Sequence, residues 1–223
     1  MAKFSAPNVH ERAGDTGAPR TLVYAGSVGT WYMLGEMLDF FSAVRARDPG
    51  LSFLILNRGG HDVIVRAVEA RRLEGVRVVA AAPDEVPDHL SRAYAGIYFI
   101  KPVFSKSGAS PTKLGEYLAA GLPVVVNAGV GDADQLVAST GVGVVVDRFS
   151  ADEYVARWDE LTAMIARGAD FRRHCRETAR PNLGLDLGIE RYGAVYDSLL
   201  AGPAVRARGR EEGQLERHAT RIP

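Results

Sequence analysis

The chain has 223 residues and is 47% hydrophobic, so it can bury one core of good size or at most two small ones. Its 27 Lys and Arg balance 27 Asp and Glu, and no net charge points to a nucleic acid or an anionic membrane surface. The single cysteine, Cys175, cannot form an internal disulfide, and no apolar run approaches the roughly 18 residues that span a bilayer. We therefore expect a cytoplasmic protein with no transmembrane segment.

The two ends of the chain differ from its middle in composition. Residues 1–19 are rich in Gly, Pro and polar side chains and lack an apolar h-region, which predicts a flexible linker rather than a signal peptide. Residues 202–223 contain too few apolar side chains to pack, and we predict that they are disordered. One domain is therefore predicted over residues 20–201.

Between the two ends, short β-branched runs alternate with longer segments of helical periodicity. This alternation is typical of βαβ units around a parallel sheet. Strands are predicted at 21–26, 51–56, 76–81, 95–100, 122–126 and 143–147. Helices are predicted over about 30–47, near 64–71, between 83 and 95, from Ser110, from a capping box of Ser150 and Glu153, and twice or more within 170–200. The predicted fold class is α/β, a Rossmann-like parallel sheet of about six strands with helices on both faces.

Ligands of open parallel sheets bind beyond the carboxyl ends of the strands, so the loops there are the first candidates for a site. Gly26 and Gly29 in the first loop would let the backbone approach a phosphate, although a tight βα turn explains them equally well. Arg58 follows the second strand and could offer a guanidinium to a diphosphate, or could be a solvated loop residue. Pro83 follows the third strand and could form one wall of a flat pocket.

The segment SPTKLGEYLAAGLPVVV, residues 110–126, contains the strongest candidate. Ser110 is predicted as the N-cap of a helix, with Pro111 at its first position. A cation in the first turn is locally unfavourable, so Lys113 indicates an anion at this helix end, unless it forms an ordinary surface pair with Glu116. Glu116 lies one turn deeper on the same face, where it could accept hydrogen bonds from a ribose diol.

The succession from AYAGIYFIKP through SPTKLGEYLAAGLPVVVNAGVGDADQLVASTGVGVVVD resembles the nucleotide-sugar-binding signature of retaining GT-B glycosyltransferases. The resemblance covers about residues 20–165 and corresponds to the C-terminal, donor-binding half of that fold. It implies a hexosyltransferase of polysaccharide or glycoconjugate biosynthesis that uses a nucleoside-diphosphate sugar as its donor, retains anomeric configuration and needs no metal or other cofactor.

The resemblance also assigns roles to individual residues of the predicted loops. Glu116 would hold the ribose, and Ser110, Thr112 and Lys113 would lie beside the diphosphate. Gly26 and Ser27 would face the diphosphate from the first loop. The backbone around Ala82 and Pro83, with Val86, would meet the base.

The sequence departs from the family pattern in three ways. Gly108 occupies the position where many members carry a second glutamate near the donor sugar, and the loop after the first strand offers no Lys or Arg. Arg58, Lys101 and Lys106 are the candidates to supply the missing basic charge. The N-terminal half that binds the acceptor does not match any part of this chain, so transfer is expected to need that half in cis or in trans, and any membrane contact would be made through it.

Two alternatives to a transferase remain open. The absence of the second glutamate would permit a nucleotide-sugar-binding or regulatory module without catalysis. A sugar-nucleotide epimerase of the same overall fold would need a second half and catalytic carboxylates that this sequence does not display. Catalytic residues are not assigned, the histidines show no metal-ligand spacing, and Cys175 is expected to be an inert helical cysteine, although its basic neighbours could lower its pKa.

Overall fold

The computed structural model describes residues 20–201, and the predictions for residues 1–19 and 202–223 lie outside that range. The predicted α/β fold is confirmed: every strand pairing is parallel, in the order β3-β2-β1-β4-β5-β6. The strands are β1 Thr21–Ala25, β2 Ser52–Leu56, β3 Val76–Val79, β4 Ala95–Tyr98, β5 Val124–Asn127 and β6 Gly143–Val146.

Helices connect these strands and follow the last of them. Their bounds are α1 Leu34–Arg47, α2 His61–Ala70, α3 Val86–Arg92, α4 Thr112–Ala119, α5 Ala133–Thr140, α6 Ala151–Ile165, α7 Ala169–Leu183 and α8 Leu185–Ala201. The chain divides into two compact units between Leu183 and Gly184, so α8 belongs to the second unit. Within residues 20–201, no helix combines the length and apolar content that crossing a membrane requires.

The core lies on both faces of the sheet, as the continuous apolar strands predict. β4 and β5 are buried along their whole length. Helix α1 adds Phe40, whose ring meets those of Phe99, Tyr154 and Trp158 edge to face. The predicted cap of α6 is confirmed, since the Ser150 hydroxyl accepts a hydrogen bond of 3.4 Å from the amide of Glu153.

The first long helix begins at Leu34, four residues later than the sequence predicts. The preceding residues instead follow the end of β4: Tyr32 forms single antiparallel bridges with Gly29 and Ile100. The amide of Met33 also donates a 3.0 Å hydrogen bond to the carbonyl of Phe99. These hydrogen bonds satisfy backbone groups that would otherwise have begun the helix. Those to Phe99 and Ile100 also hold the first loop against the end of β4.

The centre of the sheet contains the topological switch point. β1 and β4 are neighbours, but the chain continues from β1 toward β2 and from β4 toward β5, in opposite directions. The loops that leave these two strands therefore diverge and open a crevice at the carboxyl edge.

Candidate ligand-binding site

The first loop and helix α4 meet at Gly26. A Cβ atom at this position would lie 2.5 Å from the ammonium nitrogen of Lys113, so only glycine admits the lysine there. Gly26 also adopts φ +147°, a conformation that residues with side chains rarely adopt. The fold therefore brings together two residues that the sequence predicts as parts of one site, although they lie 87 positions apart (113 − 26).

Lys113 is a buried cation, with 8% of its surface exposed. Its ammonium lies 4.0 Å from the ring centroid of Tyr32 and 5.6 Å from that of Tyr24. Within the described part of the chain, this ammonium makes neither a hydrogen bond nor an ion pair. Ring faces offset part of the cost of burying a charge, but an anion would offset more. Lys113 is thus placed to receive a negatively charged ligand.

Glu116 is half-buried, one turn further along α4. Burial raises the pKa of its carboxyl group, and the charge of Lys113 partly opposes that shift. No hydrogen bond or ion pair engages the carboxylate within residues 20–201, so the two side chains do not form a close surface pair. Both oxygens remain free to accept hydrogen bonds from a ligand.

Helix α4 begins later than the sequence predicts, and Ser110 is not its cap. Pro111 is the N-cap, with extended ψ of 117°, and no side chain caps the helix. Ser110 precedes a proline, which favours an extended conformation and keeps Ser110 outside the helix. Without a side-chain cap, the first-turn amides of α4 can donate to an external acceptor.

A cavity of about 250 Å³ opens beside this helix end. Ser110 and Thr112 are both exposed and line it, whereas Glu116 does not. The complete lining is Trp31, Tyr32, Ile100, Lys106, Ala109, Ser110, Pro111 and Thr112. The cavity therefore lies at the tip of α4.

The other predicted site residues lie along the same edge of the sheet, and within residues 20–201 no hydrogen bond or ion pair joins them to α4. Ser27 is exposed, and its carbonyl accepts a hydrogen bond from the hydroxyl of Tyr24. Arg58 follows β2 and Pro83 follows β3, and both are exposed. The strand order therefore places Pro83, Arg58 and Gly26 in sequence toward the crevice.

Two buried asparagines anchor the loops of the site, and the sequence offered no periodic signal for them. Asn57 donates from its amide to the carbonyl of Gly26, at 2.8 Å. Asn127 both accepts from and donates to the backbone of Ile100, at 2.8 and 2.9 Å. Asn57 follows β2 directly and Asn127 is the last residue of β5, and an amide at a strand end can bond to the backbone of a neighbouring segment.

Tyr117 adds a third anchor that sequence reasoning missed. Its hydroxyl accepts a 2.8 Å hydrogen bond from the amide of Ala25, which joins α4 to the end of β1. Burial raises the pKa of Tyr117, so the phenol stays neutral. Its spacing from Leu114 and Leu118 indicated only an apolar face.

A larger cavity, of about 410 Å³, opens at the opposite edge, where β1 and β2 begin. It contains two arginines, but both are paired: Arg20 with Asp48 at 3.0 Å, and Arg47 with Asp159 at 3.3 Å. Its charges are already compensated, so the smaller cavity is the better candidate for an anionic ligand.

A metal site and a reactive thiol at Cys175 are two further candidates for chemistry in this chain. The part of the chain that the structure describes contains no group of three or more His, Cys, Asp or Glu side chains that could hold a metal ion. Cys175 is buried, and burial raises its pKa to about 12, so its basic neighbours do not produce a reactive thiolate.

Comparison with known proteins identifies the fold to which this edge of the sheet belongs. A family model described as "Glucosyltransferase 3-like, C-terminal domain" matches residues 105–176, which include the tip of α4 and Glu116. The structure of AviGT4, a glycosyltransferase of avilamycin A biosynthesis, matches with a TM-score of 0.60 at 22% identity. The chain has the fold of the C-terminal half of a GT-B glycosyltransferase.

Two further structures of the same fold were solved with UDP. S. aureus TarM matches 81% of this chain with a TM-score of 0.65 and 13% identity. The pneumococcal O-GlcNAc transferase GtfA matches 82% of this chain with a TM-score of 0.54 and 18% identity. AviGT4 matches over 83% of this chain. The chain spans 52% of the AviGT4 chain and 36% of the other two. No sequence among curated proteins matches it significantly.

Proposed function

We propose that this chain binds a nucleoside-diphosphate sugar in the crevice between β1 and β4, as the donor for transfer of a hexose with retention. The observation that carries the proposal is the buried ammonium of Lys113, which lies against Gly26 without a carboxylate partner in the described residues. The UDP in the TarM and GtfA structures supports it, since those proteins share this fold.

In the proposed complex, the diphosphate lies at the tip of α4 against Lys113, Thr112 and the first-turn amides. The carboxylate of Glu116 accepts hydrogen bonds from the ribose about 6 Å deeper along the helix, at the rise of 1.5 Å per residue. As the sugar leaves, negative charge builds on the diphosphate, and a fixed cation with helix amides stabilises it without a metal ion. The loop that contains Pro83 remains the candidate to meet the base.

We also propose that transfer needs an N-terminal, acceptor-binding half in cis or in trans, which would make this chain a donor-binding module. The chain spans about half or less of the matched transferases. Gly108, which stands where the family carries its second glutamate, is exposed and offers no side chain to a donor sugar. That glycine favours the alternative of a binding module without catalysis.

Calorimetry on the purified chain tests the binding proposal. UDP or GDP should bind more tightly than uridine or guanosine, because Lys113 and the amides act on the phosphates. Glu116→Ala should weaken that binding by about 1 to 3 kcal/mol through loss of hydrogen bonds to a charged acceptor. Glu69→Ala, a change of an exposed glutamate on α2, is the matched control and should have no effect.

Reconstitution tests the transferase proposal separately. The chain alone should transfer no sugar, and transfer should begin when an N-terminal half of the GT-B fold is supplied. Tight UDP or GDP binding with no transfer by any reconstituted pair would favour the binding module. Turnover by the chain alone, abolished by Glu116→Ala, would contradict the need for a second half.

A further inference from the structure

Two consecutive aromatic residues each support one lysine in the candidate site. The ammonium of Lys106 lies 4.4 Å from the ring centroid of Trp31, and that of Lys113 lies 4.0 Å from the ring centroid of Tyr32. The two lysines come from different segments, the short 3-10 turn Phe104–Lys106 and helix α4. Trp31, Tyr32 and Lys106 all line the cavity at the tip of α4.

Backbone bonds fix both partners of the Lys106 contact. The carbonyl of Trp31 accepts a 2.9 Å hydrogen bond from the amide of Lys101. This bond holds the backbone of Trp31 beside the end of β4. The carbonyl of Lys106 accepts from the amides of Ala109, at 3.1 Å, and Gly131, at 2.9 Å. The turn that contains Lys106 is therefore bound to the loop after β5, and its side chain extends from a fixed base.

Neither ammonium forms a close ion pair with a carboxylate of the described residues. Between residues 20 and 201, Lys106 and Lys113 take part in no side-chain hydrogen bond and no ion pair. Two cations on neighbouring rings repel each other, and the free energy of that repulsion is recovered when an anion with more than one charge binds between them. A diphosphate carries such a charge, whereas a monophosphate offers only one group.

We propose that Lys106, held on Trp31, is the second cation of the diphosphate site and determines its preference for a diphosphate over a monophosphate. Lys113 contacts the phosphate next to the ribose, since it lies between Glu116 and the helix tip. Lys106 lies beyond the tip, in the cavity that Glu116 does not line, and contacts the outer phosphate. Neither Arg58 nor Lys101 lines that cavity. This inference rests on the proposed function.

The test measures binding of UDP, UMP, GDP and GMP by calorimetry. Lys106→Ala should weaken binding of the preferred diphosphate about fivefold and leave the monophosphate within about twofold, so the ratio of the two affinities falls. Lys113→Ala should weaken both nucleotides. Lys101→Ala, a change of an exposed lysine that does not line the cavity, is the matched control and should change neither.

Changes at Trp31 test how Lys106 is held. Trp31→Leu should lower the ratio of diphosphate to monophosphate affinity in part, and Trp31→Phe should restore it, because a ring face again supports the ammonium. If Lys106→Ala leaves the ratio of diphosphate to monophosphate affinity unchanged while Lys113→Ala weakens binding of both nucleotides, the role of Lys106 is overturned and the proposed function is not. If the unmodified chain binds no nucleotide, the proposed function itself fails.

Discussion

The cavities at the two edges of the sheet differ in whether their positive charges are paired with carboxylates. At the amino edge, Arg20 and Arg47 each pair with an aspartate, at 3.0 and 3.3 Å. At the carboxyl edge, Lys106 and Lys113 rest on aromatic rings, without a carboxylate partner among the described residues. Folding alone would favour pairing at both edges, so the unpaired charges indicate an edge that binds a ligand at some cost to stability.

The largest expected effect comes from Gly26→Ala. The new methyl group would lie 2.5 Å from the Lys113 ammonium nitrogen and displace that flexible side chain, so UDP or GDP binding should weaken about tenfold or more. Gly29→Ala is the matched control, because Gly29 also has a positive φ, of 130°, but its Cβ would meet nothing within 4 Å. Calorimetry on both variants separates lysine displacement from backbone strain, and equal losses of affinity would argue for strain alone.

A smaller effect concerns the pH dependence of stability at Glu116. Burial raises the pKa of this carboxyl group in the folded chain, so the folded state retains its proton to higher pH than the unfolded state. Stability from this group is complete below the ordinary glutamate pKa and is lost as pH rises through the raised pKa. Glu116→Gln should therefore stabilise the chain at pH 7 by less than about 1 kcal/mol, since the group is half-exposed.

Thermal melts of Glu116→Gln and the unmodified chain at several pH values measure this effect. The two melting curves should converge as the pH falls below the ordinary glutamate pKa. A difference in melting temperature that stays constant from acid to neutral pH would show that ionisation of Glu116 does not cause the difference in stability.

The smallest effect is expected at the amino edge. Arg47→Ala breaks an exposed ion pair with Asp159 and should cost less than about 0.5 kcal/mol of stability. Because this edge lies opposite the proposed site, UDP and GDP affinities should stay unchanged. Weaker nucleotide binding by this variant would remove the contrast between the two edges.

Much of the candidate site could be predicted because it depends on local sequence and on one topological rule. The spacing of Lys113 and Glu116 places them on one face of α4, and the carboxyl-edge rule brings Gly26 to the same end of the sheet. The predicted start of α4 was wrong by one residue, because Pro111 rather than Ser110 is the N-cap.

The remainder of the site depends on contacts between distant segments. Tyr24 and Tyr32 come from a strand and a loop, and no periodic pattern indicates that their rings lie beside one lysine of a helix. Lys106 was one of three candidates in the sequence, and its position on Trp31 and in the cavity lining separates it from Arg58 and Lys101. Such choices are made by tertiary packing, which sequence periodicity does not report.

Lys113→Met tests whether the buried ammonium serves a bound anion, because methionine is an unbranched apolar side chain only one atom shorter than lysine and carries no charge. Melting temperatures and calorimetry should be measured with and without UDP or GDP. We expect the ligand-free variant to be as stable as the unmodified chain, or more stable, while its nucleotide affinity falls about tenfold. A variant that loses stability but binds UDP or GDP unchanged would show that Lys113 serves the fold rather than a bound anion.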